Sequence, residues 1–389
     1  MGVRFPPSLF SKQMVNEIKK FLIAVSILVG TCIGAGVLGI PYVASQSGFV
    51  AALGYILILG LIILIVNLYI GEIALRTKGD HQLIGYARKY LGKRWKHVME
   101  FAVVFGTYAA IIAYMIGMGE SLSFLFTGAT NYGIYFGLGV GVLMAFLIKG
   151  GLKSLKRFEK WGVLIILLLL ATIFILFVGK IHLPNLATFN STFIFLPFGV
   201  VLFALMSFHA IPEVKLVLKG SQKLFKRVLL TGTLISVVFY ILFTLVVLGY
   251  LGANTPEIAT LSLGMLFIVL GIFTMFTSYL ASGNALIENF QFDERYSENV
   301  SWFFAAIIPI GIYLIIQVSN IFSFITVLSI GGVVAGGITA IVVLLMVRKA
   351  KIKGNRIPEY SISAYKWILG IIGLIFVFGV VREIFLVIG

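Results

Sequence analysis

Charge is scarce in this 389-residue chain. Only 11% of its residues are Asp, Glu, Lys or Arg, less than half the roughly 25% of a soluble domain. That is too little to cover the two or three soluble domains this length would form. A disordered chain is excluded as well, because 60% of the residues are hydrophobic. Cysteine is almost absent, and Cys32 alone excludes an internal disulfide framework and any cysteine-based metal cluster. The four histidines, at 81, 97, 182 and 209, are too scattered for most zinc signatures. No paired acid, histidine cluster or nucleophile beside a base is evident, so the chain does not read as an enzyme. Hydrophilic domains, low-complexity tracts and long linkers are missing too. The longest polar connections are 76–97, 289–299 and 349–363.

What is present is long apolar runs, and the mean hydropathy is +1.10. About 20 apolar residues rising ~1.5 Å each cross a ~30 Å hydrocarbon core. Eleven such stretches are legible, approximately 21–45, 48–76, 98–127, 131–150, 159–180, 192–218, 225–252, 260–288, 300–317, 321–348 and 364–387. Alternating strands of about ten residues are absent, so the spans are helices. The first run is too long for a signal-peptide core. The Met-Gly start lacks the Ser/Thr of a myristoylation signal. The expected fold class is therefore an all-α polytopic membrane protein of eleven transmembrane helices, forming one domain over 1–389.

The net charge of +16 resembles that of a nucleic-acid binder until the charges are placed on the chain. With a cytoplasmic N-terminus, 28 of the 30 Lys and Arg residues fall inside and only Lys180 and Arg382 outside. One missed helix would invert every later loop and spoil that asymmetry. The basic charge is a topology signal, so the expected partner is the lipid bilayer and not a nucleic acid. The expected placement is an integral cell-membrane protein with a cytoplasmic N-terminus and an extracellular C-terminus.

Internal symmetry follows. The first span carries Gly34-Ala35-Gly36 and then Gly39-Ile40-Pro41. The sixth carries Phe203-Ala204-Leu205-Met206-Ser207-Phe208-His209 and then Ala210-Ile211-Pro212. Five spans precede the sixth, so the second unit starts with opposite orientation. The pattern predicts a five-plus-five inverted repeat, about 21–180 and about 192–348, with an extra helix at about 364–387.

Both first helices of the repeat are expected to be discontinuous. Two glycines weaken a helix by about 1 kcal/mol each relative to Ala, and Pro41 removes a donor. Unwound backbone at mid-membrane must face protein, a cavity or a ligand, because a bare amide there costs several kcal/mol. The competing reading is a glycine-mediated helix contact. If the helix breaks, the half starting near Gly36, Val37 and Leu38 offers free N–H groups and a positive dipole end to a carboxylate. The half ending near Ile33 offers carbonyls to a cation or an ammonium. An α-amino acid presents both groups.

These residues resemble a known family. Gly34-Ala35-Gly36-Val37-Leu38-Gly39-Ile40-Pro41 is similar to the helix-one signature of the amino acid–polyamine–organocation superfamily. Phe203 to Glu213, and Glu72-Ile73-Ala74-Leu75-Arg76-Thr77, resemble its amino acid/auxin permease and aromatic amino acid permease branches. The resemblance implies the LeuT-type fold and alternating access around a central site. That site takes in Gly34, Ala35, Gly36, Val37, Leu38, Tyr114, Phe203, Ala204, Met206, Ser207 and His209. One departure is that helix six has no glycine near its expected break.

The resemblance also implies a coupling ion. Helix eight reads Thr274-Met275-Phe276-Thr277-Ser278, with two adjacent hydroxyls suited to sodium. Carried over, the sodium ligands are the carbonyls of Gly30, Ile33 and Thr274 and the hydroxyls of Thr277 and Ser278. The plain alternative is that these hydroxyls bond carbonyls of their own helix. Helix five, from Trp161 to Phe177, has no ionisable residue, whereas some proton-coupled relatives carry a lysine there. Protons remain the alternative through Glu72, His209 or Glu213, since ionisable groups within spans are functional candidates. Glu72 reads either as an i,i+4 partner of Arg76 or, from the resemblance, as a brace for the broken part of helix six.

The expectation is a symporter importing a neutral amino acid, aromatic or branched within that class, with sodium, and no further cofactor. A proton-coupled permease is the alternative. A metal-ion transporter using Met206 and His209 is a third reading, though helix one offers no Asp or Asn near its break. A channel is a fourth, without a visible charged ring or carbonyl filter.

Overall fold

The computed structural model of the protein describes residues 7–149, 168, 171–292 and 295–388. Every regular element among them is helical. Leaving out single-turn elements, in chain order they are α1 (Pro7–Cys32), α2 (Ala35–Ser47), α3 (Phe49–Leu75), α4 (Leu83–Leu91), α5 (Lys93–Thr127), α6 (Gly133–Lys149) and α7 (Ala171–Lys180). Then come α8 (Pro197–Leu205), α9 (Ala210–Val217), α10 (Phe225–Leu251), α11 (Met265–Phe292), α12 (Glu298–Ser319), α13 (Phe324–Lys353) and α14 (Lys366–Ile388). Among the described residues, seven stretches are long and apolar enough to cross a membrane, one of them α8 and α9 taken together (Pro197–Val217), and the bent pair α1–α2 makes an eighth.

Most elements lie where the apolar runs predict them, with three differences. The first helix starts at Pro7, well before the expected 21, because a helix needs no membrane to continue through Lys12, Glu17, Lys19 and Lys20. The polar stretch 76–97 contains the short helix α4. Its Leu83, Ile84, Tyr86, Ala87 and Tyr90 are buried while Arg88 and Lys89 face out. This is an amphipathic pattern too short and too charged to read as a span. The expected span 159–180 lies largely outside the described residues, and with it most of the helix-five reading; only its end, α7, is seen. Helices α12 and α13 each carry a π-helical turn, at Phe303–Ile307 and Gly332–Gly336.

Glycine sets both the turns and the closest approaches. Gly48 joins α2 to α3 at φ 99, and a Cβ there would collide with the Thr188 carbonyl oxygen. Only glycine tolerates both conditions. At the centre, α2 lies against α8 so closely that a Cβ on Gly36 would sit 2.6 Å from the Cα of Ala204. Helix α13 closes on the same place. A Cβ on Gly331 would lie 2.7 Å from the Ala109 Cβ, and one on Gly336 2.7 Å from the Met206 Sδ. One on Gly332 would strike the Gly199 carbonyl oxygen. Small residues thus let backbones meet where no hydrophobic force separates helix from lipid.

A Gly332→Val substitution is expected to destabilise by about 1–3 kcal/mol or to prevent folding, because its first side-chain carbon meets backbone. Gly373 in α14 has open space around it, and Gly373→Ala is expected to be neutral or to add up to ~1 kcal/mol. Thermal unfolding of both variants in detergent checks this contrast; equal melting temperatures would contradict it.

Candidate binding site at the helix breaks

Helix α1 stops at Cys32 and α2 begins at Ala35, with a 51° bend between them. The Ile33 N–H still closes onto the Val29 carbonyl at 3.0 Å, but the Gly34 N–H donates to the Cys32 carbonyl at 3.0 Å. The N–H that would close the last turn onto Gly30 is therefore diverted, which leaves the Gly30 carbonyl without its helical partner. On the other side, α2 starts from Gly34, which has no side chain to cap its first amides. The N–H groups at the start of α2 point to the break as open donors.

The sixth span shows the same pause by a different route. Helix α8 ends at Leu205, Met206 is extended (φ −65, ψ 112), and α9 starts at Ala210. No glycine is needed, because no residue there takes a positive φ. The α9 amides are already used: Ala210 N–H donates to the Ser207 carbonyl at 3.1 Å and Ile211 N–H to the Phe208 carbonyl at 3.4 Å. The two breaks are unequal, and helix one presents the freer donors.

One hydroxyl ties the two breaks together. Tyr240 on α10 lies 2.8 Å from the Cys32 carbonyl and 2.7 Å from the Ala204 carbonyl. It has a single proton for two acceptors, so the bond is shared. The Cys32 thiol points across to the Leu205 carbonyl at 3.8 Å. Asn67 on α3 donates to the Ser207 hydroxyl at 2.9 Å, while its own Oδ1 is buried without a partner. Sequence reasoning missed both Tyr240 and Asn67. Asn67 carried a signal, as a lone amide in the apolar run from Phe49 to Gly71. Tyr240 carried none, being one of 16 tyrosines.

Several predicted residues do come together. A Cβ on Gly34 would lie 2.9 Å from the Tyr114 hydroxyl oxygen and 3.3 Å from the Ser278 Oγ. Gly34, Tyr114 on α5 and Ser278 on α11 therefore share one spot. Ile33, Val37, Leu38 and Thr274 line a small cavity of about 10 Å³ with Phe239 and Phe243, near the least that admits one water-sized sphere. Ala35, Phe203, Ala204 and Ser207 are buried around the breaks, whereas Met206 and His209 are half-buried. The Thr277 hydroxyl donates to the Thr274 carbonyl at 3.0 Å, and the Thr274 hydroxyl to the Gly271 carbonyl at 2.9 Å. Such own-helix bonds use the hydroxyl proton and leave the oxygen lone pairs able to face a cation. Among the described residues, no group of three or more His, Cys, Asp or Glu side chains could hold a metal ion.

Glu72 is placed elsewhere. Its buried Oε1 accepts from Arg76 at 2.8 Å, Lys351 at 2.6 Å and the Ser361 hydroxyl at 2.8 Å, and its Oε2 accepts from the Ile362 N–H at 3.0 Å. The i,i+4 pair with Arg76 is thus present, and the other bonds tie Glu72 to Lys351 of α13 and to the segment between α13 and α14. The reason is register: Glu72 lies in the last turn of α3, while Asn67, five residues earlier, is level with Ser207. Glu213 sits one turn past His209 on α9, half-buried.

Comparison with known proteins bears on the fold and the family. The crystal structure of MhsT in complex with L-phenylalanine superposes with a TM-score of 0.67, covering 94% of this chain and 98% of that one at 14% identity. That likeness is one of fold, the LeuT type. Tyrosine-specific transport systems 1 and 2 of Haemophilus influenzae are 28% identical over 235 residues and 31% identical over 246. The matched regions span 57% and 58% of those relatives, a little over half their length. The profile of the tryptophan/tyrosine permease family matches residues 17–260. Of the two branches the sequence resembles, it is the aromatic one that the profile describes, and the chain belongs to the tryptophan/tyrosine permease family.

Proposed function

We propose that this protein is a sodium-coupled symporter that imports an aromatic amino acid by alternating access. The observation that carries the reading is the pair of interrupted helices meeting at one buried spot, with uncapped amides on α2 and Tyr114 and Ser278 beside Gly34. The substrate carboxylate takes the amides of Gly36, Val37 and Leu38. The ammonium takes carbonyls left by the end of α1. The side chain lies among Phe203, Ala204 and Met206, where no full charge would answer a charged substrate. The aromatic preference is supported by the tyrosine-specific relatives and by a neighbour in fold that holds phenylalanine.

In this reading eleven spans form two inverted repeats plus one helix, with the first and sixth spans discontinuous and the N-terminus cytoplasmic. The ion lies between the end of α1 and α11, on the carbonyls of Gly30 and Ile33 and the hydroxyls of Thr277 and Ser278. The Thr274 carbonyl already accepts the Thr277 hydroxyl, so it is the weakest member of that set. Proton coupling through Glu72 is disfavoured, because Arg76 and Lys351 both hold that carboxylate in an ion pair.

Uptake of labelled tyrosine, tryptophan and phenylalanine into proteoliposomes tests the whole reading. Accumulation under an inward sodium gradient is expected, and little with potassium in its place. No accumulation under either a sodium or a proton gradient would overturn it. Ser278→Ala is expected to raise the half-saturating sodium concentration about tenfold, equivalent to ~1.4 kcal/mol, with uptake recovered at high sodium. An unchanged sodium dependence would move the ion elsewhere. Tyr240→Phe strips two buried carbonyls of their shared donor, at a cost of about 1–3 kcal/mol. It is expected to lower both the melting temperature and substrate affinity, read by thermal unfolding and equilibrium binding.

A further inference from the structure

A second cavity lies away from the helix breaks. It is an open groove of about 530 Å³ at the far end of α13, where the chain approaches α14. Its walls include Arg348, Lys351, Ile352, Ser361, Ser363 and Tyr365. Lys351 is already held, by Glu72, the Ser361 hydroxyl and the Ile362 carbonyl. Arg348 is exposed and, among the described residues, makes no hydrogen bond or ion pair. An unpaired guanidinium at the rim of a groove is a fork of donors suited to a phosphate.

The surroundings say what kind of phosphate. Leu345, Arg348 and Ile352 fall at i, i+3 and i+7 on one exposed face of α13. On α14, Trp367, Ile371, Leu374 and Phe378 form an exposed apolar stripe beginning beside the groove. The rings of Tyr365 and Trp367 stack at 6.5 Å and 17°, the pairing of aromatic residues expected at the level of lipid headgroups. A free anion would make no use of the apolar stripe, whereas a lipid uses the cation, the aromatic rings and the stripe together. Lys349 and Lys353 stand on the same helix end, on the face that the distribution of Lys and Arg assigns to the cytoplasm, and their charge favours an anionic headgroup over a zwitterionic one.

We propose that this groove binds the phosphate of an anionic phospholipid from the cytoplasmic leaflet, with Arg348 as its cation and the acyl chains laid along the Trp367–Phe378 stripe. Occupancy bears on the Glu72 clamp, since Lys351 and Ser361 belong to both. The site is independent of what the protein carries.

Thermal unfolding and native mass spectrometry of the purified full chain in neutral detergent test it, with phosphatidylglycerol, phosphatidylcholine or inorganic phosphate added. Phosphatidylglycerol is expected to raise the melting temperature and stay bound in the gas phase, and the other two to do neither. Arg348→Gln is expected to weaken phosphatidylglycerol binding about tenfold, the scale of one charge-assisted hydrogen bond. Tyr365→Glu, which sets a carboxylate on the rim, is expected to do the same. Lys180→Gln, at an exposed lysine outside the groove, is expected to bind as the unaltered protein does. An equal shift with phosphatidylcholine or with inorganic phosphate would overturn the proposal. So would undiminished binding by both groove variants.

Discussion

Backbone satisfaction in a medium without water governs this structure. A helix that stops halfway across the bilayer leaves amides and carbonyls that lipid cannot solvate. Here the carbonyls at the two breaks are met largely from neighbouring helices. The Tyr240 hydroxyl serves Cys32 and Ala204, and the Cys32 thiol faces Leu205. Asn67 bonds the Ser207 hydroxyl from a third helix. The interruptions are therefore tolerable only because α3, α8 and α10 crowd around them, and the crowding in turn depends on glycines that let backbones touch.

The balance of donors and acceptors at the breaks is uneven, and that unevenness gives the site its polarity. The amides of α9 are consumed by short turns, whereas those of α2 follow a glycine without a cap. The proposed site therefore assigns the anion to helix one. The carbonyl side is divided between the two spans and partly occupied by weak or shared donors. A shared proton or a thiol is easier to displace than a full backbone bond, which suits a place where a ligand must come and go.

Much of this was legible from residue order alone. Long apolar runs placed most of the helices, since length and hydropathy decide whether a segment can cross a bilayer. Gly34-Ala35-Gly36 marked the first interruption because glycine weakens helices locally. The second was legible only by analogy with the first, since Met206 to His209 contain no breaker and unwind through tertiary contacts. Glu72 was legible only in part, for a related reason. Its spacing to Arg76 was visible, but its bonds to Lys351 and Ser361 join positions nearly 300 residues apart. Asn67, which meets Ser207, was passed over because one amide in an apolar run has many packing explanations. Short amphipathic α4 escaped because nine residues are too few for a secure periodicity.

The burial of Cys32 has a practical side. It is the chain's sole sulfhydryl, sealed at the last residue of α1 between Leu205 and Tyr240. Alkylating probes attached to engineered surface positions would therefore meet almost no background, without first constructing a thiol-free parent. The native side chain meanwhile sits at the break itself, so under the proposed alternating access the rate at which it becomes reactive would report any parting of the two half-helices.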